Sequence, residues 1–423
     1  MTQQRFNEAD RAYAAELFDA VRALSQDKNG VTREGHSAKE DEVLAYLGSK
    51  AEALGMSREV DRAGNVWYTL KGKDSTLPVV VAGSHVDSVP VGGNFDGLAG
   101  VVAAMTAVYH WKRVGTVLPM DFKVLMLRLE ESSFYGKAYV GSLGMMGRLT
   151  EKDLALTHRA GTNTLGQALE RTGVKLADVT GGKPLIDISR IRAFIELHIE
   201  QGPMLDGDPD TRVGLVTGIR GNIRHKQVVC KGVTAHSGAV DKAFRHDALM
   251  ATAELIHAAE KHWQSVLDAG EDLVFTVGVM KLGGNAAISV IPGEVVFSTD
   301  TRSLKLETCE AFEAWLMARA QEIGEARGVS FTFDAPLVTR PGVITPSVFE
   351  ALREGAREEG IRVREMPSGA GHDTAVLTAA GIPAGMIFVA NQNGSHNPYE
   401  AMKLDDFMLG TAVLVKTVEH MAS

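Results

Sequence analysis

Histidine and acidic side chains lie in several short motifs of this 423-residue chain. Residues 83–87 read GSHVD and follow the apolar run Val79–Ala82, which is typical of a buried strand. His85 could offer a ring nitrogen to a metal ion. Asp87 would lie on the same side of an extended chain, where it could hold the other ring nitrogen. Because open α/β sheets place their sites at the carboxyl ends of strands, we interpret this segment as part of a metal site.

Two further motifs supply carboxylates. Residues 92–97 read GGNFDG and place Asp96 at the entrance to the next predicted helix. This run lacks the Gly-Lys-Ser/Thr ending of a phosphate-binding loop, so we do not interpret it as one. The apolar run Phe122–Leu129 ends in Glu130 and Glu131. Adjacent side chains of an extended chain point in different directions, so one glutamate could bind metal while the other faces the reaction.

Two more histidines complete the set of candidate ligands. His198 lies in ELHIEQG (196–202), after the apolar run that begins at Ile191, and His396 lies in NGSHNP (393–398). The collection predicts a pair of divalent cations that share Asp96, bound by His85, Asp96, Glu131, His198 and His396. Nitrogen and oxygen ligands of this kind suit Zn²⁺, and Mn²⁺ or Co²⁺ would be tolerated.

These residues need a sheet that brings strand ends together. Short β-branched or apolar runs at Asn65–Leu70, Val79–Ala82 and Phe122–Leu129 alternate with helical patterns at Phe6–Leu24, Lys39–Leu54 and Gly97–Trp111. We therefore predict an α/β domain with a mixed sheet whose core is mostly parallel.

The middle of the chain has a different pattern. We predict strands and helices in the order βαββαβ, which is that of a ferredoxin-like unit, at Asn222–Lys231, Asp241–Leu267, Leu273–Lys281, Glu294–Arg302, Glu307–Arg327 and Val329–Asp334. We interpret this as a domain of residues 218–334 inserted into a discontinuous metal-binding domain of residues 1–217 and 335–423.

Composition narrows the function classes. The formal net charge is −9 and no basic run is present, so nucleic acid is not expected as a partner. The longest apolar stretch, Val101–Val108, is far shorter than the ~20 residues that cross a bilayer. The polar N-terminus lacks a signal-peptide pattern, so we expect a cytoplasmic protein without a membrane partner. Cys230 and Cys309 are expected to be buried free thiols.

Taken together, the motifs at 83–87, 92–97, 130–131, 196–202 and 394–398 resemble those of the M20 metallopeptidase superfamily. The HIEQG motif and the loop Gly369–Asp373 (GAGHD) resemble its hydantoinase/carbamoylase branch, which contains N-carbamoyl-L-amino acid hydrolases, allantoate amidohydrolases and β-ureidopropionases. The resemblance spans Gly30–Lys416. It implies a metal-dependent amidohydrolase with two divalent ions per subunit, and a homodimer in which the inserted domain serves as lid and dimerisation domain.

The resemblance also implies residue roles. One metal would be bound by His85, Asp96 and His198, and the other by Asp96, Glu131 and His396. Glu130 would be the general base and Asp87 would orient His85. His236 would polarise the scissile carbonyl, in this or the neighbouring subunit. The substrate contacts would be Gln201, Arg220, Asn285, Arg302 and His372.

We therefore expect hydrolysis of a linear carbamoyl or amide C–N bond in a small carboxylate-bearing substrate, such as an N-carbamoyl-L-amino acid or ureido acid. An aminoacylase, a dipeptidase, a hydrolytic deaminase on the same metals and a non-catalytic metal-binding protein remain alternatives. Ser132–Tyr135 and Ser237–Lys242 depart from the usual sequence of the branch, and Arg220 stands where Gln is common. These departures alter the substrate pocket and leave the metal ligands intact.

Overall fold

The chain folds as a mixed α/β protein. Its computed structural model describes residues 5–284 and 286–422. Two compact units are present: the first combines the chain up to Thr217 with the chain from Val343 onwards, and the second is Gly218–Gly342.

The helices, in chain order, are α1 (Glu8–Ser25), α2 (Ala38–Ala53), α3 (Leu98–Val114), α4 (Val140–Met145), α5 (Glu151–Leu154), α6 (Leu165–Arg171), α7 (Leu176–Val179), α8 (Ala248–Asp268), α9 (Leu306–Arg327), α10 (Pro346–Glu358), α11 (Asp373–Ala379) and α12 (Leu404–Ala422). Short 3₁₀ turns lie at Ile188–Arg190 and Lys242–Phe244.

The strands are β1 (Gln26–Asp27), β2 (Gly30–Val31), β3 (Ser57–Val60), β4 (Val66–Leu70), β5 (Val79–His85), β6 (Phe122–Leu127), β7 (Ile191–Ile199), β8 (Val213–Ile219), β9 (Gly221–Lys231), β10 (Ala235–His236), β11 (Val274–Thr276), β12 (Met280–Leu282), β13 (Val290–Ile291), β14 (Glu294–Ser303), β15 (Ser330–Phe333), β16 (Leu337–Thr339), β17 (Gly342–Val343), β18 (Val363–Ser368) and β19 (Ala384–Val389).

The first unit is built on a nine-stranded mixed sheet. Its strand order is β17-β8-β19-β7-β5-β6-β4-β3, and β18 pairs with β8. The central neighbours β19, β7, β5 and β6 run parallel, whereas the pairs β8–β19, β4–β6 and β3–β4 are antiparallel. The carboxyl ends of the four central strands therefore lie along one edge of the sheet.

Both faces of this central sheet are buried. Val80 and Ala82 of β5 belong to the core that also contains α1, α2, α3, α10 and α12. Val79 and Val81 belong to the core on the other face, with residues of α4, α6 and α11. Because successive side chains of a strand point to opposite faces, an unbroken run such as Val79–Ala82 serves both cores.

The helix that follows β5 begins without a side-chain cap. The N-cap of α3 is Gly97, with φ +66°, and no side chain hydrogen-bonds to its first turn. By contrast, α1 begins with a capping box formed by Asn7 and Asp10. The first turn of α3 therefore presents backbone N–H groups and the positive end of the helix dipole next to Asp96.

The second unit is built on an antiparallel sheet of order β11-β14-β9-β15, with β12 on β14 and β16 on β9. Helices α8 and α9 pack against one face of this sheet in a core that includes Phe297, Phe312 and Leu316. The alternate residues of β14 that do not enter this core, among them Asp300 and Arg302, are only partly buried.

Three details of the second unit differ from the sequence-based expectations. Helix α8 begins at Ala248 and not at Asp241, because Asp247 caps it by accepting the N–H groups of Leu249 and Met250. The strand expected at Leu273–Lys281 is divided into β11 and β12, which pair with different parts of β14. The unit ends at Gly342 and not at residue 334, because β16 pairs with β9.

Across residues 5–284 and 286–422, the helices are all too short or too polar to cross a bilayer. Both cysteines, Cys230 and Cys309, are buried free thiols.

Substitution of Gly83 by Ala should destabilise the first unit. A Cβ at residue 83 would lie 1.8 Å from the carbonyl oxygen of Leu125 on β6. The two strands must separate to accept it, so we expect the free energy of unfolding to fall by about 1–3 kcal/mol. Gly278→Ala is the matched control, since no described heavy atom lies within 4 Å of a Cβ there. Equal urea midpoints for the two variants would contradict this account.

Candidate metal centre

The candidate ligands come from five segments that end at the same edge of the sheet. His85 is the last residue of β5, His198 lies near the end of β7, and Glu131 follows β6. Asp96 precedes α3, and His396 lies in the loop after β19. Because β19, β7, β5 and β6 are parallel neighbours, their polar carboxyl-end residues converge.

The first group of ligand atoms is deeply buried. His85 Nε2 lies 3.3 Å from Asp96 Oδ1, and His198 Nε2 lies 3.2 Å from the same oxygen. The side chains of His85 and His198 are 2% and 1% exposed. The ligand atoms of these three residues all lie within 4.8 Å of one another, which is close enough to share one ion.

The second group uses the other oxygen of Asp96. His396 Nε2 lies 3.4 Å from Asp96 Oδ2 and 3.2 Å from Glu131 Oε1. These atoms also lie within 4.8 Å of one another. The His396 side chain is 51% exposed, unlike the other two histidines. Asp96 therefore faces one group with each carboxylate oxygen, as a bridging ligand does.

The backbone sets the tautomers of the two buried histidines. His85 Nδ1 lies 3.1 Å from the carbonyl oxygen of Asp87, and His198 Nδ1 lies 2.9 Å from that of Ile199. A carbonyl oxygen can only accept, so each Nδ1 carries the proton. Nε2, close to Asp96, is then the ring nitrogen left to bind an ion, and His198 Nε2 accepts the N–H of Gly97 at 3.2 Å. The orientation and the nitrogen/oxygen set both fit a divalent transition-metal ion.

The electrostatic field of the centre favours positive charge. Hydrogen bonds to Asp96 and Glu131 raise the pKa of His396 to about 10. Burial alone would raise the pKa of Asp96, but His198, His396 and His85 hold it well below its usual range. Burial would lower the pKa of His85, yet Asp87 and Asp96 raise it well above the ordinary value. A cation at this place is therefore favoured by its surroundings.

Glu130 and Asp87 lie beside the first group. Glu130 Oε2 is 4.0 Å from His85 Nε2. Burial raises the pKa of Glu130 well above its usual range, His85 opposes this, and Glu131, Asp373 and Asp87 reinforce it. The fully buried Asp87 carboxylate accepts the N–H groups of Glu130 (2.9 Å) and Glu131 (3.0 Å), and its Oδ1 lies 3.4 Å from His85 Nδ1. Asp87 thus links the ends of β5 and β6.

Two residues expected to contact substrate lie against candidate metal ligands. Gln201 Nε2 donates to Asp96 Oδ2 at 2.7 Å, while its buried Oε1 has no hydrogen-bond partner in the described part of the chain. The His372 ring packs edge-on against the His198 ring, with centroids 4.6 Å apart, and its Nε2 lies 2.9 Å from Ser368 Oγ. Both residues therefore contact the side chain of a candidate ligand.

The remaining candidates lie in the second unit. His236 is exposed on β10, and Gly238 N–H donates to its Nδ1, so the neutral ring carries its proton on Nε2. Arg220 forms a bidentate ion pair with Asp272. Arg302 Nη2 lies 2.7 Å from Asp300 Oδ2, and Arg224 Nε lies 3.1 Å from the same oxygen. Asn285 lies outside the described residues.

Several buried residues around the centre were not identified from the sequence. Glu400 accepts the N–H groups of Phe95 and Asp96, and Ser395 donates to it. Glu196 accepts hydroxyl hydrogen bonds from Ser84 and Thr374, each 2.6 Å long. Burial raises the pKa of Asp373 to about 7. Glu196 and Asp373 lie in motifs quoted from the sequence, but neither was assigned a role. Glu400 is a lone acidic residue in a loop, which gives no sequence signal of burial. Only the position of Glu400, four residues after His396, could have pointed to it.

Comparison with known proteins shows which family the chain resembles. Residues 81–420 match the model of peptidase family M20/M25/M40. The chain is 30% identical over 414 residues to an N-carbamoyl-L-amino-acid amidohydrolase of Paenarthrobacter aurescens, a match that covers 97% of this chain and 98% of that protein. It is 29% identical to the allantoate amidohydrolase of Escherichia coli strain K12, over 93% of each chain.

A solved structure has the same fold. The crystal structure of an amidase of the hydantoinase/carbamoylase family from Burkholderia multivorans superposes with a TM-score of 0.86 at 28% identity, and the match covers 97% of this chain and 98% of that chain. The likeness therefore extends over both units of the chain.

Zinc should stabilise the protein through Asp96. An ion present at about 100 times its Kd raises the free energy of unfolding by about 2.7 kcal/mol for one site. Asp96 belongs to both groups of ligands, so Asp96→Ala should abolish most of the Zn²⁺-induced rise in Tm, measured by calorimetry with Zn²⁺ and with EDTA. Asp210→Ala, at a side chain that is 75% exposed, should keep the full rise. An unchanged response of Asp96→Ala would show that zinc binds elsewhere.

Proposed function

Because the chain belongs to peptidase family M20/M25/M40, we propose that it hydrolyses the carbamoyl C–N bond of an N-carbamoyl-L-amino acid or a related ureido acid. Its relatives identify it as an enzyme that acts on non-peptide C–N bonds. The observation that carries the proposal is the placement of Asp96 between two histidine-containing groups, with Glu130 beside them.

We propose two divalent ions per subunit, with Zn²⁺ first and Mn²⁺ or Co²⁺ as substitutes. His85, Asp96 and His198 would hold one ion, and Asp96, Glu131 and His396 the other. When bound, such ions polarise a substrate carbonyl and lower the pKa of water. The two fixed tautomers and the two-sided placement of Asp96 support this assignment.

Glu130 is the proposed general base. Its carboxylate takes a proton from the attacking water and delivers it to the leaving nitrogen. Burial raises the pKa of Glu130 well above its usual range, and a raised pKa makes a carboxylate a stronger acceptor for the proton of water. Asp87 assists without contacting the reacting atoms, since it fixes the backbone of Glu130 and the ring of His85.

The second unit is proposed to be a ferredoxin-like lid that binds substrate and forms a homodimer. Its strand order and two helices support this interpretation. His236 would donate from Nε2 to the scissile carbonyl, in this subunit or its partner. Arg302 would bind the substrate carboxylate with its planar fork. Gln201, Arg220, Asn285 and His372 complete the proposed substrate-binding set, with Gln201 and His372 acting through Asp96 and His198.

A substrate panel tests the proposal. Purified enzyme loaded with Zn²⁺, Mn²⁺ or Co²⁺ is given matched N-carbamoyl and N-acetyl derivatives of the same L-amino acids. We expect ammonia and the free amino acid from the carbamoyl series. Acetate from the N-acetyl series without ammonia from the carbamoyl series would identify an aminoacylase instead. No product from either series would refute both.

Glu130→Gln should separate catalysis from metal binding. The amide keeps the size of the side chain but cannot accept the proton of water, so kcat should fall by about 10²- to 10⁴-fold. Metal content, measured by mass spectrometry of the dialysed protein, should equal that of the wild type. Activity retained within a few-fold would remove Glu130 from the role of base.

Arg302→Lys should weaken substrate binding. Lysine keeps the positive charge but loses the bidentate geometry, so KM should rise by about 10-fold or more, which corresponds to about 1.4 kcal/mol. The control is a carbamoyl substrate that lacks a carboxylate, for which the variant and the wild type should have similar kcat/KM. A similar loss on both substrates would point to a structural role for Arg302.

A further inference from the structure

We infer that Glu400 is a positioning residue that fixes Asp96 relative to the loop of His396. It thereby sets the affinity of the second group of ligands, which is Asp96, Glu131 and His396, for its ion. The inference rests on the proposed two-ion centre. Glu400 is 2% exposed and does not belong to either group of candidate ligands.

The carboxylate of Glu400 joins two separate segments. Its Oε1 accepts the N–H of Phe95 at 2.8 Å and that of Asp96 at 3.3 Å. Its Oε2 accepts the hydroxyl of Ser395, the residue before His396, at 2.7 Å. One side chain therefore connects the backbone of the shared ligand to the loop that carries the exposed histidine.

The hydrogen bond from Ser395 to Glu400 competes with a hydrogen bond from the same hydroxyl to Asp96. Its hydroxyl contacts both Glu400 Oε2 and Asp96 Oδ2. A hydroxyl carries a single proton and can donate to one of these carboxylates at a time. If an ion were held through Asp96, the hydroxyl of Ser395 would remain available to Glu400, and that bond would hold the loop of His396.

The loop of His396 has few other ties to the ligands. Besides Glu400, the direct ties are the contact of Ser395 with Asp96 and the donation of Gln201 N–H to Asn391 Oδ1. The other bonds are local: Asn391 Nδ2 donates to Gly394 O, Asn393 Nδ2 to Tyr399 O, and Asn397 Nδ2 to Asn393 O. These local bonds shape the loop but do not connect it to the segment of Asp96, so Glu400 and Ser395 provide that connection. The histidines of the first group are fixed instead by their places in β5 and β7. Loss of Glu400 should therefore affect the second group more than the first.

The backbone at Gly93 passes directly over the Glu400 side chain. A Cβ at residue 93 would lie 2.2 Å from the Glu400 carboxyl group, so only glycine lets the chain pass over it. The uncapped first turn of α3 lies directly after Asp96. The N–H groups of Phe95 and Asp96 and the hydroxyl of Ser395 offset part of the cost of burying this carboxylate.

The test is a Zn²⁺ titration of the full-length protein in a chelator-buffered series, with bound zinc counted by mass spectrometry. We expect the wild type to bind two ions. Glu400→Ala should bind the first ion as the wild type does, while the Kd of the second rises by about 10- to 100-fold. Glu400→Gln keeps one acceptor oxygen and should show a smaller rise in the same Kd.

Glu313→Gln is the matched control, because it removes another buried carboxylate, in the second unit, and should leave both zinc constants unchanged. Circular dichroism checks that Glu400→Ala folds. If it does not, the Kd of the second ion in Glu400→Gln tests the inference. An unchanged second Kd, or an equal loss of both ions, would overturn the inference while the two-ion centre stands. A wild type that binds fewer than two ions would overturn the inference together with the two-ion centre.

Discussion

The two groups of candidate ligands depend on one shared carboxylate, that of Asp96. Asp96 directs Oδ1 toward the two buried histidines and Oδ2 toward His396, so its orientation decides whether both groups of ligands exist. Neighbouring residues restrain it from several sides: Gln201 donates to Oδ2, and Glu400 holds its backbone N–H. A carboxylate that bridges two ions tolerates little rotation, because turning it toward one group removes an oxygen from the other.

Burying many carboxylates near one point is costly unless hydrogen bonds and cations compensate. Asp87 is satisfied by two backbone N–H groups, and Glu196 by two hydroxyl groups. The fully buried Arg33 donates to Val86 O and Asn94 Oδ1, behind the segments of His85 and Asp96. Burial lowers the pKa of Arg33 to about 10, while nearby carboxylates oppose this shift. The charge of Arg33 thus offsets part of the repulsion among the acidic groups.

Backbone strain is also concentrated near the centre. Leu129, Gln201, Asn393 and His396 all have positive φ angles between 51° and 64°. Such conformations are unfavourable for residues with a Cβ and persist where the surrounding structure imposes them. Each lies in or next to a segment that carries a ligand or the proposed base. The chain therefore turns sharply at these four residues, beside the candidate ligands.

From the amino-acid order alone, the family and the mixed α/β class could be predicted, because ligand motifs directly follow apolar strands and keep their order along the chain; the comparisons confirm the family. The role of Glu400, the ion pair of Arg220 with Asp272 and the contact of Gln201 with Asp96 could not be predicted. Nor could the division of the expected strand into β11 and β12. Local patterns encode which side chains can enter a core or bind an ion. Burial, ion pairing and strand partners depend on which distant segments meet, and that is decided only when the sheet forms.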